Sequence, residues 1–210
     1  MVKDFFKKQT PQKGLAYNEM VSAMLLKIET TIPEQLDEEA RHQFEIIKLN
    51  FQRIRRINKT YTPSEDIIEL VNNIKAPQLW MAISEDWCGD SAQNLPYIAK
   101  MAELNSNIDM RIISRDANPE IIDQYLTNGT RSIPIVVAFD EQGNELFKWG
   151  PRPAEGQALV NKAKSEGVPK DKFLEALHVW YAKNKGVALE EEFKVLLQRF
   201  KKTGVEVNGL

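Results

Sequence analysis

Residues 79–91 read LWMAISEDWCGDS, and this stretch decides the fold. Its first six residues form a short, mostly apolar run between Pro77 and Glu85, the mark of a buried strand. Glu85-Asp86-Trp87 then leads to Cys88, which stands just before a run, about 91–105, that reads as a helix. A cysteine at that junction meets the free N–H groups of the first helical turn. Those groups favour an anion and so favour thiolate over thiol. A solitary cysteine is more often a small buried hydrophobe; the strand-to-helix position is what singles Cys88 out.

Downstream, Ile108–Ser114 reads as a strand, 119–127 as a helix and 135–139 as a strand rich in β-branched residues. Asp140-Glu141-Gln142-Gly143 is a turn, 144–149 the partner strand of a hairpin, and 153–165 a helix. The order β-α-β-α-β-β-α predicts an α/β fold, a mixed central sheet with helices on both faces. Upstream, residues 1–14 are polar, carry Pro11 and Gly14, and read as a poorly ordered arm. A helix over 15–29 follows, with Met20, Met24, Leu25 and Ile28 on one face. Thr31-Ile32-Pro33-Glu34 has capping-box spacing, and Leu36, Ala40, Phe44, Ile47, Phe51 and Ile54 continue as an amphipathic helix ending near Asn58. Thr62-Pro63-Ser64-Glu65 starts a short helix carrying Ile67, Val71 and Ile74. The tail, 170–202, reads as two helices. Phe173, Leu174, Leu177, Val179, Trp180 and Tyr181 mark the first, and Leu189, Phe193, Leu196, Leu197 and Phe200 the second, with Gly186 and Gly204 as stops. The chain thus divides into a helical extension (1–76), a central domain (77–164) and a second helical extension (165–210). The extensions either pack onto the centre or form a separate dimerisation surface, and the sequence assigns no oligomeric state.

Composition narrows the function. The 210 residues are 42% apolar and 28% charged, with a formal net charge of −2. No basic stripe points to nucleic acid, and no apolar run nears the ~18 residues of a membrane span. Phe5-Phe6, flanked by lysines, is too short for a signal peptide. Cys88 is the only cysteine and His42 and His178 the only histidines. No internal disulfide forms, a structural zinc site lacks its ligands, and no cofactor or metal is expected. A lone free thiol fits a reducing compartment, hence the cytoplasm.

Several matches in order resemble the thioredoxin family over residues 77–164. Trp87-Cys88-Gly89 stands where that family has Trp-Cys-Gly, and Pro96 where a proline kinks its active-site helix. Asp116-Ala117-Asn118-Pro119 is similar to its Asp-x-Asn-Pro, and Gly129-Thr130-Arg131-Ser132-Ile133-Pro134 to its Gly-x-Arg-x-x-Pro. The resemblance implies a cis Ile133–Pro134 bond facing Cys88. It also implies a glycine, Gly150, between the last strand and last helix. Together with the acidic flank, Cys-Gly-Asp-Ser resembles a bacterial branch of single-cysteine thioredoxin-like proteins with helical extensions.

The departures shape the chemistry. Ser91 replaces the resolving cysteine, so a mixed disulfide has no internal route to release. Ser91 is left to donate a hydrogen bond to the Cys88 thiolate or to serve as an ordinary helix-start residue. Ala82 stands in place of the family's buried acid, which a missing second thiol no longer needs. Glu85, Asp86 and Asp90 crowd the loop; they oppose a thiolate, or they form a solvated rim. His178 lies among Leu174, Leu177 and Tyr181 and reads as a core or rim residue, His42 as surface, and Trp149 as packing.

The leading expectation is thiol–disulfide exchange with protein thiols or disulfides. Cys88 and Ser91 carry the chemistry, and Trp87, Gly89, Asp90, Ile133 and Pro134 contact the partner's chain. The alternatives are a non-catalytic binding module on the same fold and, less favoured, a monothiol glutaredoxin-like protein that holds an iron–sulfur cluster with glutathione. Against the last stand the acids around Cys88 and Pro151-Arg152-Pro153 in place of a glycine-rich glutathione contact.

Overall fold

The apolar run after Pro77 becomes β2 (Gln78–Ser84), buried along its whole length because it lies at the centre of a five-stranded sheet. A computed structural model describes residues 2–203, with side chains as far as residue 198. Gly204 and the Phe200 side chain therefore lie outside the described residues. The strand order is β1-β3-β2-β4-β5, where β1 is Leu15–Ala16, β3 Ile108–Ser114, β4 Ile135–Asp140 and β5 Glu145–Trp149. β2 and β3 run parallel, in register from Gln78 opposite Ile108 to Ser84 opposite Ser114. The other three pairings are antiparallel. The mixed α/β sheet read from the element order is present.

Side chains alternate across a strand, so β2 and β4 each feed two cores. Trp80, Ala82, Val136 and Ala138 point to one face, where Phe147 and Trp149 of β5 join them. That face is covered by α3 (Glu38–Thr60), α4 (Glu65–Asn72), α5 (Gly89–Ala102) and α9 (Val187–Thr203). Phe193 of α9 is fully buried against Trp80, Phe147 and Trp149, with ring centroids 5.7–5.9 Å apart. Burying such a ring contributes about 3 kcal/mol. The second extension is thus part of the central core. Leu79, Met81, Ile83, Ile135, Val137 and Phe139 face the other way, under α6 (Pro119–Ile122), Tyr125 and Phe5. A third cluster joins α7 (Ala154–Ser165) to α8 (Lys170–Asn184) through Val160, Phe173, Leu177 and Tyr181.

Several boundaries differ from the sequence reading. The 1–14 arm is packed: α1 (Asp4–Lys7) sets Phe5 and Phe6 against Phe139. Those two rings were legible only as an apolar pair too short to count. Leu15 and Ala16 pair with β3, and the helix, α2 (Tyr17–Thr30), begins after them. Leu25 is 39% exposed, so the buried face of α2 rests on Tyr17 and Met24. Thr31–Glu34 does not start α3. Pro33–Gln35 is a 3-10 turn, held by Arg41 donating to the Pro33 and Leu36 carbonyls, and Asp37 is the cap, accepting from Ala40 N at 2.8 Å. α3 continues to Thr60, and α6 is one turn rather than two.

Candidate functional site

Cys88 is the N-cap of α5, extended at φ −78° and ψ 114°. That geometry turns its sulfur back over the first turn, and Ser91 N donates to Cys88 Sγ at 3.4 Å. From the opposite side the loop before β4 brings the Ile133 carbonyl to 3.3 Å, where it accepts from the thiol. The Ile133–Pro134 peptide is cis, as the family resemblance implies, and Gly150–Pro151 is cis as well. Gly150 has φ +121°, and a Cβ there would run into the Pro134 carbonyl, so this close approach requires glycine.

The sulfur is well covered: Cys88 is 8% exposed. Its pKa is pushed up, first by burial and then by the Asp90 charge. The Ser91 hydroxyl and the Ser91 and Asp90 N–H groups oppose that rise without overcoming it. The resting group is therefore a thiol. Ser91 Oγ is buried and meets no hydrogen-bond partner. Ala82, at the place of the family's acid, is fully buried in β2. Open space near the sulfur lies toward α2. A cavity of about 220 Å³ there shares Met20, Met24, Glu85 and Asp86 with the narrow gap that Cys88 and Ser91 line.

The three loop acids do not form a solvated rim. Glu85 accepts from the Ser114 hydroxyl at 2.7 Å and from Asp116 N at 2.9 Å. Asp86 pairs with Lys27 of α2 at 2.7 Å, while its carbonyl accepts from Asn50 Nδ2 at 2.9 Å. Asp90 is the most enclosed. It accepts from Tyr181 Oη at 2.7 Å and from both Nε and Nη2 of Arg152, and its carbonyl accepts from Asn94 Nδ2 at 2.8 Å. The Asp90 and Arg152 side chains are 11% and 16% exposed, so each neutralises the other in a mostly dry setting.

Of the residues expected at the site, Trp87, Cys88, Ile133 and Pro134 lie together. Trp87 is half-buried and carries the Arg115 guanidinium 4.6 Å above its ring. Gly89 and Asp90 face α8 instead: a Cβ on Gly89 would meet the His178 imidazole at 3.0 Å and Arg53 at 3.4 Å. His178 is half-buried and sits at the rim, within the core-or-rim reading of the sequence. Its pKa is lowered to about 4, by burial first and the Arg53 charge second. Trp149 packs in the core as expected, and its indole N–H also donates to Glu192 at 2.7 Å.

The residues missed were Asn50, Arg53, Asn94, Arg152 and Tyr181. Asn50 was detectable, since it falls on the apolar stripe between Ile47 and Ile54 and is fully buried. A polar residue in such a stripe needs a partner. Arg152 and Tyr181 gave no local signal, because their partner is distant in sequence. Among the described residues, no group of three or more His, Cys, Asp or Glu is arranged to hold a metal, and no helix is long and apolar enough to cross a membrane.

A family model described as thioredoxin matches residues 39–164. No match is found among curated proteins. Among solved structures, the chain is similar to an HIV epitope scaffold, with a TM-score of 0.56 and 18% identity over 91% of this chain and 96% of that one. It is also similar to a protein of unknown function from Pseudomonas aeruginosa, with a TM-score of 0.47 and 19% identity over 82% of this chain and 99% of that one.

Proposed function

The chain belongs to the thioredoxin family, and from that premise we propose that it exchanges thiols with partner proteins through Cys88. The observation that carries this reading is the sulfur's placement, with Ser91 N–H aimed at it from the start of α5 and the Ile133 carbonyl at its other side. In the first step the Cys88 thiolate attacks a partner disulfide. One S–S bond forms, the partner's breaks, and the partner's second sulfur leaves as thiolate. With serine at position 91, an external thiol must attack the mixed disulfide to release Cys88. The Ile133 carbonyl supports docking, because a partner strand that donates to it competes with the Cys88 thiol for the same acceptor. Trp87 and Pro134 supply apolar contact beside it. The free thiol suits a reducing compartment, and we assign the exchange to the cytoplasm.

Burial of the sulfur and its raised pKa favour a second reading, a thioredoxin-fold binding module without turnover. Titrating the native protein with the aromatic disulfide DTNB separates the two, with Cys88→Ser as blank. Exchange predicts one equivalent of released thiolate from the folded protein, at a rate that climbs as pH rises past the free-thiol value of about 8.5. Release only after denaturation refutes exchange and leaves the binding module.

A further inference from the structure

A cavity of about 520 Å³ lies between α3 and α8, with buried Gln93 of α5 at its base. Arg53 and Arg56 enter it from one face of α3, three residues apart. Arg53 donates to Asn50 Oδ1 at 2.9 Å and Arg56 to Gln93 Oε1 at 3.4 Å. Both acceptors are neutral. Among the described residues neither guanidinium sits in an ion pair, whereas Arg111, Arg115, Arg131 and Arg152 each has a carboxylate. Since Gln93 turns its oxygen to Arg56, its amide N–H₂ faces His178 Nδ1 at 3.4 Å and donates to it. The neutral ring therefore carries its proton on Nε2, the atom near Gly89 and Arg53.

This cluster holds more positive charge than its acids balance. Asp90, whose charge reaches both Arg53 and His178, is committed to Arg152 and Tyr181. Glu175, at the exposed mouth, lies 4.0 Å from Lys172. Burial first and the Arg56 charge second lower the Arg53 pKa, and the Asp90 charge offsets part of that. Leu49 and Val179, 46% and 49% exposed, add apolar surface to the same cavity.

We propose that this cavity binds a small organic phosphate, its phosphoryl group between Arg53 and Arg56 and its apolar body against Leu49 and Val179. Two guanidinium forks match the charge and the spread of oxygens of a phosphate dianion, while a carboxylate leaves one fork uncompensated. The volume is that of a small-molecule site. The site is separate from the Cys88 reading and stands or falls without it.

The test uses the full-length protein with inorganic phosphate and phenyl phosphate, against chloride at matched ionic strength. Calorimetry at pH 8, where both probes are predominantly dianions, gives affinities. NMR of the two histidine rings gives site occupancy, with exposed His42 as internal reference. The groups facing His178 are Arg53 and Arg56 from α3, Asp90 from α5 and Glu175 from its own helix. An anion between the arginines moves the His178 ring resonances at that same pH and leaves those of exposed His42 in place. Phenyl phosphate binds about tenfold tighter than inorganic phosphate. Arg56→Gln, on an exposed side chain, weakens both about tenfold, and Glu175→Gln tightens both. Unmoved His178 resonances, an equal shift in chloride, or an Arg56→Gln variant of unchanged melting temperature that binds as before overturns the site. Equal affinity for the two probes overturns the organic half of the assignment.

Discussion

On one flank of Cys88 the neighbours are Ile133 and Pro134, buried and apolar, and the polar contact is the thiol donating to a carbonyl. On the other flank, Gly89 and Asp90 meet His178, Tyr181, Arg152 and Asn94, and nearly every contact is a hydrogen bond or an ion pair. The first flank lies within the segment that matches the family model, residues 39–164. The second is closed by α8, which lies beyond it. An element outside the matched segment therefore shares in the polar setting of the cysteine loop, alongside Arg152 from within that segment. It supplies Tyr181 to Asp90, and Asp90 raises the thiol pKa.

The largest break in this comparison is Asp90→Ala. It strands the Arg152 guanidinium in a mostly buried position and removes the acceptor of Tyr181 Oη. Breaking one partner of such a pair costs about 3 kcal/mol, the low end of the range because Gln157 Oε1 still accepts from Arg152. Urea unfolding measures it. The same variant lowers the midpoint of Cys88 alkylation, since one of the two causes of the raised pKa is gone. A midpoint that stays put would mean that burial alone keeps the sulfur protonated, and the two flanks would be electrostatically independent.

Next in size is the acid limb of stability at His178. Its folded pKa, about 4, lies below the unfolded value of about 6.5. Between those values the unfolded chain binds a proton that the folded chain refuses, so stability falls as pH falls from 6.5 through 4. His178→Gln removes that proton uptake. The stability of the wild type relative to the variant should drop by roughly 1–2 kcal/mol between pH 7 and pH 4, after discount for the ring's partial exposure. Parallel denaturation curves for the two proteins over that window would place the ring outside the charged setting of Arg53 and Arg56.

A smaller change, Tyr181→Phe, sharpens the comparison by leaving the ion pair intact. Only the hydroxyl that links Asp90 to Asn94 is lost, and Asn94 Nδ2 keeps its bond to the Asp90 carbonyl. About 1 kcal/mol of stability should go, read by the urea midpoint at unchanged slope. A loss as large as that of Asp90→Ala would show that α8, rather than the Arg152 pair, carries the second flank.

How far the sequence reached follows the same division. The first flank was legible because its residues are local. A strand, a loop, Cys88 and a helix start are consecutive, and Ile133-Pro134 comes with a motif of its own. The second flank was not. Asp90 and Tyr181 stand 91 residues apart, and neither helical periodicity nor composition says which distant side chain an acid will meet. Asp90 was therefore read with Glu85 and Asp86 as one acidic group, although the three have separate partners. The N-terminal arm failed for a related reason. Phe5 and Phe6 have no period, and only their contact with Phe139 at the end of β4, which they help to bury, explains why they order. Helix α9 was found readily because Leu189, Phe193 and Leu197 repeat at steps of four.

The smallest expected effect sits between the two flanks. Ser91 Oγ is buried without a partner in the thiol state, so Ser91→Ala removes an unsatisfied polar atom rather than a bond. An unpaired buried hydroxyl is costly, and its removal should leave stability unchanged or raise it by up to about 1 kcal/mol. The thiol responds in the opposite sense. The Ser91 hydroxyl is among the groups that oppose the rise in Cys88 pKa, so without it the alkylation midpoint moves further up and labelling at fixed pH slows. A variant that is no less stable yet less reactive would identify Ser91 as a group kept for the thiolate and not for the fold. A variant that loses stability with no change in labelling would reduce Ser91 to an ordinary residue of the helix start, and the case for exchange at Cys88 would rest on the Ser91 and Asp90 N–H groups.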